Sequence, residues 1–128
     1  MSKKILIVDD DTDFIEQLEI KLKQSDYSID KAYSRAEAEE YLQKNKPDLA
    51  IVDLMMEETD AGFALCYHMK KQYNNLPVIM VTAVTNETGF QFDAGTKEEK
   101  TWIRADAFLA KPIRFEQLKK ELNRLLGN

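Results

Sequence analysis

The stretch ILIVDDDTD, from Ile5 to Asp13, joins a short apolar run directly to a dense run of carboxylates. A short run of Val, Ile and Leu is typical of a strand buried on both faces of a parallel sheet. Aspartates packed this closely repel one another unless a cation intervenes. The stretch therefore predicts a buried first strand that delivers Asp9, Asp10 and their acidic neighbours to a charged site.

Four further apolar runs along the chain have the length of strands. They are a weaker run around Ile29–Tyr33, followed by Leu49–Val52, Val78–Val81 and Ala107–Ala110. Between and after them lie helical patterns: Phe14–Leu22, Ala36–Leu42 behind a Ser34/Glu37 capping box, Phe63–Tyr73, and Phe115–Leu125 closed by Gly127. We interpret their leucine stripes as core. The alternation of strands and helices predicts a parallel sheet with helices on both faces.

The composition indicates a globular chain with a core of its own. Hydrophobic residues make up 44% and charged residues 32% of the 128 positions, and the formal net charge is −5. This length suits one ordinary domain, so we expect a single domain spanning residues 1–128. The negative charge argues against nucleic acid as a partner, because such binding depends on Lys and Arg meeting phosphates.

The chain has one cysteine, Cys66, and one histidine, His68. A lone cysteine excludes an internal disulfide and fits a reducing compartment, and we interpret Cys66 as a small buried apolar residue. A zinc site of the usual ligands is not expected. We find no signal peptide and no stretch that could span a membrane, so we expect a cytoplasmic protein without a membrane partner.

Residues with complementary chemistry follow four of the five apolar runs. Asp9 and Asp10 end the first, Asp53 the third, Thr82 the fourth and Lys111 the fifth. Parallel strands gather their carboxyl ends at one edge, where such sheets bind ligands. Hard carboxylate oxygens there suit Mg²⁺, and a lysine and a hydroxyl suit phosphoryl oxygens. The sequence predicts a metal–phosphoryl site at this edge.

In order and spacing, these motifs resemble the receiver domain of two-component response regulators. The matching segments are ILIVDDD, AIVDLMM, VTA and FLAKPI, and the resemblance covers the whole chain. It implies a flavodoxin-like (CheY-like) doubly wound α/β fold. That fold has a five-stranded parallel sheet in strand order 2-1-3-4-5 with helices on both faces. It also implies a phosphoacceptor signalling switch whose only enzymatic activities are self-phosphorylation and self-dephosphorylation.

The resemblance also implies roles for the acidic residues. Asp53 accepts a phosphoryl group from a sensor histidine kinase or phosphotransfer protein. Asp10 and Asp53 ligate Mg²⁺ directly, together with the backbone carbonyl of Met55, and Asp9 holds the ion through water. Asp11 matches a position that is often acidic in the family and has no ligand role there.

The remaining strand ends receive roles in the same way. Thr82 and Lys111 contact the phosphoryl oxygens, and the Lys111–Pro112 bond is expected to be cis. Phe108 takes the place of the switch residue that couples phosphorylation to the surface binding a downstream protein. Only Gly127 and Asn128 follow the last helical pattern. We therefore expect a stand-alone domain whose output passes through protein contacts or onward phosphotransfer.

The sequence departs from the family pattern in two places. Glu57 stands where the family usually has proline, and Gly62 comes one residue late, so the loop after Asp53 should have its own shape. The interval 82–111 is several residues longer than usual. We expect a loop there through about residue 96, then a short helix across Glu98–Arg104.

Two other functions stay open at this stage. A pseudo-receiver would bind partners without being phosphorylated, and the altered loops leave room for that alternative. A haloacid-dehalogenase-like phosphatase would also use an Asp-x-Asp pair after its first strand, together with Mg²⁺. That family needs a longer chain and a second late acidic pair, and neither Asp106 nor Glu116 is paired at a strand end.

Overall fold

The computed structural model describes residues 3–53, 61–73, 75–82, 106–110 and 113–126. Within these ranges the chain forms five strands and four helices. The strands are β1 (Lys4–Val8), β2 (Ser28–Ala32), β3 (Leu49–Asp53), β4 (Val78–Thr82) and β5 (Ala107–Ala110). The helices are α1 (Thr12–Gln24), α2 (Arg35–Lys44), α3 (Ala61–Gln72) and α4 (Phe115–Leu126).

All five strands are parallel, and their order across the sheet is β2-β1-β3-β4-β5. This order confirms the prediction made from the resemblance. From β1 the chain goes to β2 on one side of the sheet, and from β3 it goes to β4 and β5 on the other side. This reversal between β1 and β3 opens a ligand crevice at the carboxyl ends of such strands. Val8 of β1 pairs with Val52 of β3, so the residues that follow them lie side by side.

The core lies in two layers, one on each face of the sheet, because successive strand residues point to opposite faces. Leu6 and Val8 pack in the layer with α2 and α3, and Ile5 and Ile7 pack in the layer with α1 and α4. The leucine stripes of the helices lie in these layers, as predicted: Leu18, Leu22, Leu42, Leu118 and Leu122 are all buried. Cys66 is also buried, in the layer with α2 and α3, which confirms its interpretation as an apolar core residue.

Side-chain caps fix where the first two helices begin. The Asp11 carboxylate accepts the Phe14 amide at 3.2 Å at the start of α1. Ser34 Oγ accepts the Glu37 amide at 3.1 Å, and Glu37 accepts the Tyr33 amide at 3.3 Å. The predicted capping box is therefore confirmed, with its return bond made one residue earlier than the cap.

Several expectations concern residues beyond those that the structure describes. They include the loop at 54–60, the segment 83–105 with its expected short helix, and the Lys111–Pro112 bond. Among the helices that the structure does describe, none has the length and apolar character needed to cross a membrane.

Candidate functional site

Three aspartates meet at the carboxyl edge of the sheet. Asp9 directly follows β1, Asp10 is the next residue, and Asp53 is the last residue of β3. One carboxylate oxygen from each of the three lies within 4.8 Å of the others. Asp9 is fully buried, Asp53 is 5% exposed, and Asp10 is exposed, so the cluster is enclosed on the protein side and open on the other. The structure thus brings together the acids that the sequence predicted.

The cluster is electrostatically costly by itself. At 4.8 Å, two carboxylates repel by roughly 3 kcal/mol at the effective dielectric of a protein, before any neutralising partner is counted. Such an arrangement is maintained because burial of β1 and β3 fixes the backbone from which the side chains extend. Repulsion held in place by a rigid scaffold is a common property of functional sites.

Hydrogen bonds in the loop between β1 and α1 orient two of its acids. The Asp11 amide donates to Asp9 Oδ1 at 2.9 Å, which fixes the buried carboxylate. Asp11 itself turns toward α1, where it caps the helix. The family resemblance assigns Asp11 no ligand role, and the structure shows that it caps a helix. Asp13 lies in the first turn of α1, where the helix dipole favours a negative charge.

The donor set fits Mg²⁺. All three side chains offer hard oxygen atoms, and the exposed side leaves room for the waters that Mg²⁺ retains. The only cysteine thiol belongs to Cys66, which is buried in α3, and burial raises its pKa to about 12. A buried thiol with a raised pKa stays protonated at neutral pH, which fits the place of Cys66 in the apolar core.

The other predicted site residues lie at or just after the ends of the next two strands. Thr82 is the last residue of β4, and it pairs in register with Ala110, the last residue of β5. Lys111 follows Ala110 in the chain. The side chains of Thr82 and Phe108 lie outside the described residues, as do Met55 and Lys111 entirely, so their roles stay predictions.

The chain matches known proteins over nearly its whole length. Residues 5–123 match the family model of the response regulator receiver domain. The response regulator GtcR of Aneurinibacillus migulanus is 37% identical over 113 residues, and the regulatory protein VanR of Enterococcus faecium is 35% identical over 114. The alignments cover 88% and 89% of this chain but 43% and 46% of those proteins. This chain therefore spans about half the length of these relatives.

A solved structure with a similar fold contains a metal complex. The response regulator TrrA of Thermotoga maritima, crystallised with Mg²⁺ and BeF, superposes with a TM-score of 0.77 at 27% identity. The match covers 96% of this chain and 98% of TrrA. TrrA is thus a protein of similar fold whose structure was solved as a complex with Mg²⁺ and BeF.

Proposed function

The chain belongs to the family of response regulator receiver domains, the phosphoacceptor switches of two-component signalling, and we propose that Asp53 is its phosphorylation site. We further propose that residues 1–128 form one such domain. The family is one of signalling switches and not of classical enzymes. Membership of the chain in this family argues against the alternative of a haloacid-dehalogenase-like phosphatase.

The position of β3 in the sheet is the observation that carries this proposal. β3 lies between β1, which leads into Asp9 and Asp10, and β4, which ends at Thr82. Asp53 is therefore the one carboxylate of the cluster whose strand adjoins both the acidic strand end and the strand end with the hydroxyl.

We propose that Asp9, Asp10 and Asp53 hold Mg²⁺, with the predicted carbonyl of Met55 as a further ligand. When bound, the ion would neutralise the acidic cluster and the incoming phosphoryl oxygens. The chain's own step is attack by an Asp53 oxygen on phosphorus. The new O–P bond forms as the donor's bond to phosphorus breaks, and the electron pair leaves with the donor group. Thr82 and Lys111 would orient the phosphoryl oxygens.

The partners proposed for this chain follow from its family. Receiver domains interact with histidine kinases and downstream effectors, and we propose a sensor histidine kinase or phosphotransfer protein as donor and a protein as output target. Phe108, on β5 beside β4, is proposed as the switch residue. We propose a cytoplasmic setting, which agrees with a lone, buried cysteine at position 66.

Intact-mass measurement after treatment with acetyl phosphate and Mg²⁺ tests this function. The unmodified protein should gain the mass of one phosphoryl group, and Asp53→Asn should gain none. Asp13→Asn, which removes a nearby carboxylate outside the cluster, is the matched control and should be labelled like the parent. Labelling of Asp53→Asn would move the site elsewhere. No labelling of the parent would favour the pseudo-receiver.

A further inference from the structure

The opposite edge of the sheet, where the strands begin, contains the same hydrogen-bonded arrangement twice. Asp48 directly precedes β3, and Asp106 directly precedes β5. The Asp48 amide donates to the Lys4 carbonyl at 2.8 Å, and the Lys4 amide donates to Asp48 Oδ2 at 2.7 Å. The Asp106 amide donates to the Val78 carbonyl at 2.8 Å, and the Val78 amide donates to Asp106 Oδ2 at 2.8 Å.

Each aspartate thus binds both backbone groups of the first residue of the neighbouring strand. In a parallel ladder, that residue's amide would donate to the carbonyl of a further residue on the partner strand. Here the carboxylate supplies the acceptor instead, so the ladder is closed at its end in the way that an N-cap closes a helix. We call these two arrangements the Asp48 clasp (Asp48 with Lys4) and the Asp106 clasp (Asp106 with Val78).

The two clasps join the strand pairs that lead to the candidate site. The Asp48 clasp joins β3 to β1. Five positions after Asp48 the chain reaches Asp53, and five positions after Lys4 it reaches Asp9. The Asp106 clasp joins β5 to β4. Four positions after Val78 lies Thr82, and five positions after Asp106 lies Lys111.

Register at the start of these strands sets alignment at their ends. Because the side-chain period of a strand is two, a slip of one residue would turn every side chain to the other face. β5 has only four residues, so it has few ladder bonds of its own to resist such a slip. We propose that Asp48 and Asp106 are positioning residues, which align the metal-binding acids across β1 and β3 and the phosphoryl-contacting residues across β4 and β5.

The Asp106 clasp is reinforced and the Asp48 clasp is simpler. Lys70 of α3 donates to Asp106 Oδ2 at 2.6 Å with a side chain only 11% exposed, and Arg124 of α4 donates to the Asp106 carbonyl at 3.0 Å. Both aspartates are exposed, but the hydrogen bond from Lys4 to Asp48 is exposed to water, whereas the bond from Val78 to Asp106 is partly buried. Water can therefore replace part of the Asp48 clasp more easily than the Asp106 clasp, which also fixes β5 to helices on both faces of the sheet.

The alignments at the two pairs of strand ends predict different losses. Asp48→Ala should weaken Mg²⁺ binding, measured by titration calorimetry, by about tenfold, since small misplacements of ligating groups have large effects. Asp106→Ala should leave Mg²⁺ affinity unchanged and lower the phosphorylation rate constant at saturating Mg²⁺ by about tenfold. A general loss of stability would shift the urea midpoint without separating these two readouts.

Conservative variants and amide exchange complete the test. Asp48→Asn and Asp106→Asn keep an oxygen acceptor and should restore most of each loss. Exchange of the Lys4 amide should accelerate only in Asp48→Ala, and that of the Val78 amide only in Asp106→Ala. Asp26→Asn removes an exposed carboxylate from the turn before β2 and is the control for lost charge.

The inference is overturned if the alanine variants leave amide exchange unchanged, or if both variants alter Mg²⁺ affinity and phosphorylation rate alike. The phosphorylation arm rests on the proposed function. If the parent protein is not labelled at all, the proposed function fails, whereas Mg²⁺ affinity and amide exchange still decide the role of the clasps.

Discussion

Aspartates at the two edges of this sheet are held in opposite electrostatic situations. At the carboxyl edge, Asp9, Asp10 and Asp53 bring carboxylate oxygens within 4.8 Å of one another. At the amino edge, Asp48 and Asp106 each bind a backbone amide at 2.7 to 2.8 Å. The first set accumulates charge of one sign, and the second satisfies donors that would otherwise end a ladder unbonded. The same residue type therefore serves ion binding at one edge and register at the other.

Each strand runs from one edge of the sheet to the other through a buried middle. Truncating a side chain there should lower the free energy of unfolding. Ile51 is 1% exposed at the centre of β3. Ile51→Ala should lower the free energy of unfolding by about 3–4 kcal/mol, from lost burial and the cavity left behind. Urea unfolding measures this loss. Ile20→Ala, at a side chain 59% exposed on α1, is the control and should change stability by less than about 0.5 kcal/mol. A loss that small for Ile51→Ala would contradict the described core.

At the amino edge, where the strands begin, loss of the reinforced Asp106 clasp should destabilise the protein more than loss of the Asp48 clasp. Asp106→Ala should reduce the free energy of unfolding by about 1–2 kcal/mol, because it leaves Lys70 without its carboxylate and the Val78 amide without its acceptor. Asp48→Ala should cost about half as much, because the hydrogen bond from Lys4 to Asp48 is exposed and water can take the place of the carboxylate. Lys70→Met isolates the ion pair and should fall between them. Equal losses at Asp48 and Asp106 would show that the contacts of Asp106 with α3 and α4 add nothing.

At the carboxyl edge, removing a carboxylate should raise the free energy of unfolding instead of lowering it. Without Mg²⁺, Asp10→Asn should raise the free energy of unfolding by about 1 kcal/mol, because it removes one charge from a repulsive cluster. Asp48→Asn should give no such gain under the same conditions. Urea curves in a chelating buffer provide the comparison. A loss of stability in Asp10→Asn would mean that its carboxylate is a net stabilising group.

A further aspartate near the amino edge belongs to neither set. Asp26 follows α1 with φ of 68°, a left-handed conformation that glycine adopts without steric cost. Asp26→Gly should stabilise the protein by about 0.5 kcal/mol, since relief of the backbone outweighs the extra freedom of the unfolded chain. Thermal unfolding measures the change. A lower unfolding temperature would mean that the Asp26 side chain contributes more than its backbone geometry costs.

Much of the fold could be predicted because the buried strands have a plain signal. β1, β3 and β4 are continuous apolar runs, and their ends in the structure differ from the predicted ones by a residue at most. β2 was the weakest prediction, around 29–33, and the structure has Ser28–Ala32. It lies at the edge of the sheet, where half-exposed residues dilute the apolar pattern.

The acidic cluster was predictable for a related reason, since Asp9, Asp10 and Asp53 stand at strand ends that a parallel sheet must bring together. The sequence pattern does not predict the two clasps. The bonds of Asp106 join segments about 30 residues apart, which no local pattern reports. A weak signal existed, because an aspartate directly precedes both β3 and β5.

Stabilisation by Mg²⁺ tests most directly whether the two edges have these different roles. At Mg²⁺ ten times above its dissociation constant, binding should raise the free energy of unfolding of the parent by about 1.4 kcal/mol. At that same concentration, Asp48→Asn should keep most of this gain, whereas Asp10→Asn should lose more than half of it. The account is contradicted if Asp10→Asn gains as much from Mg²⁺ as the parent, or if Asp48→Asn loses the gain.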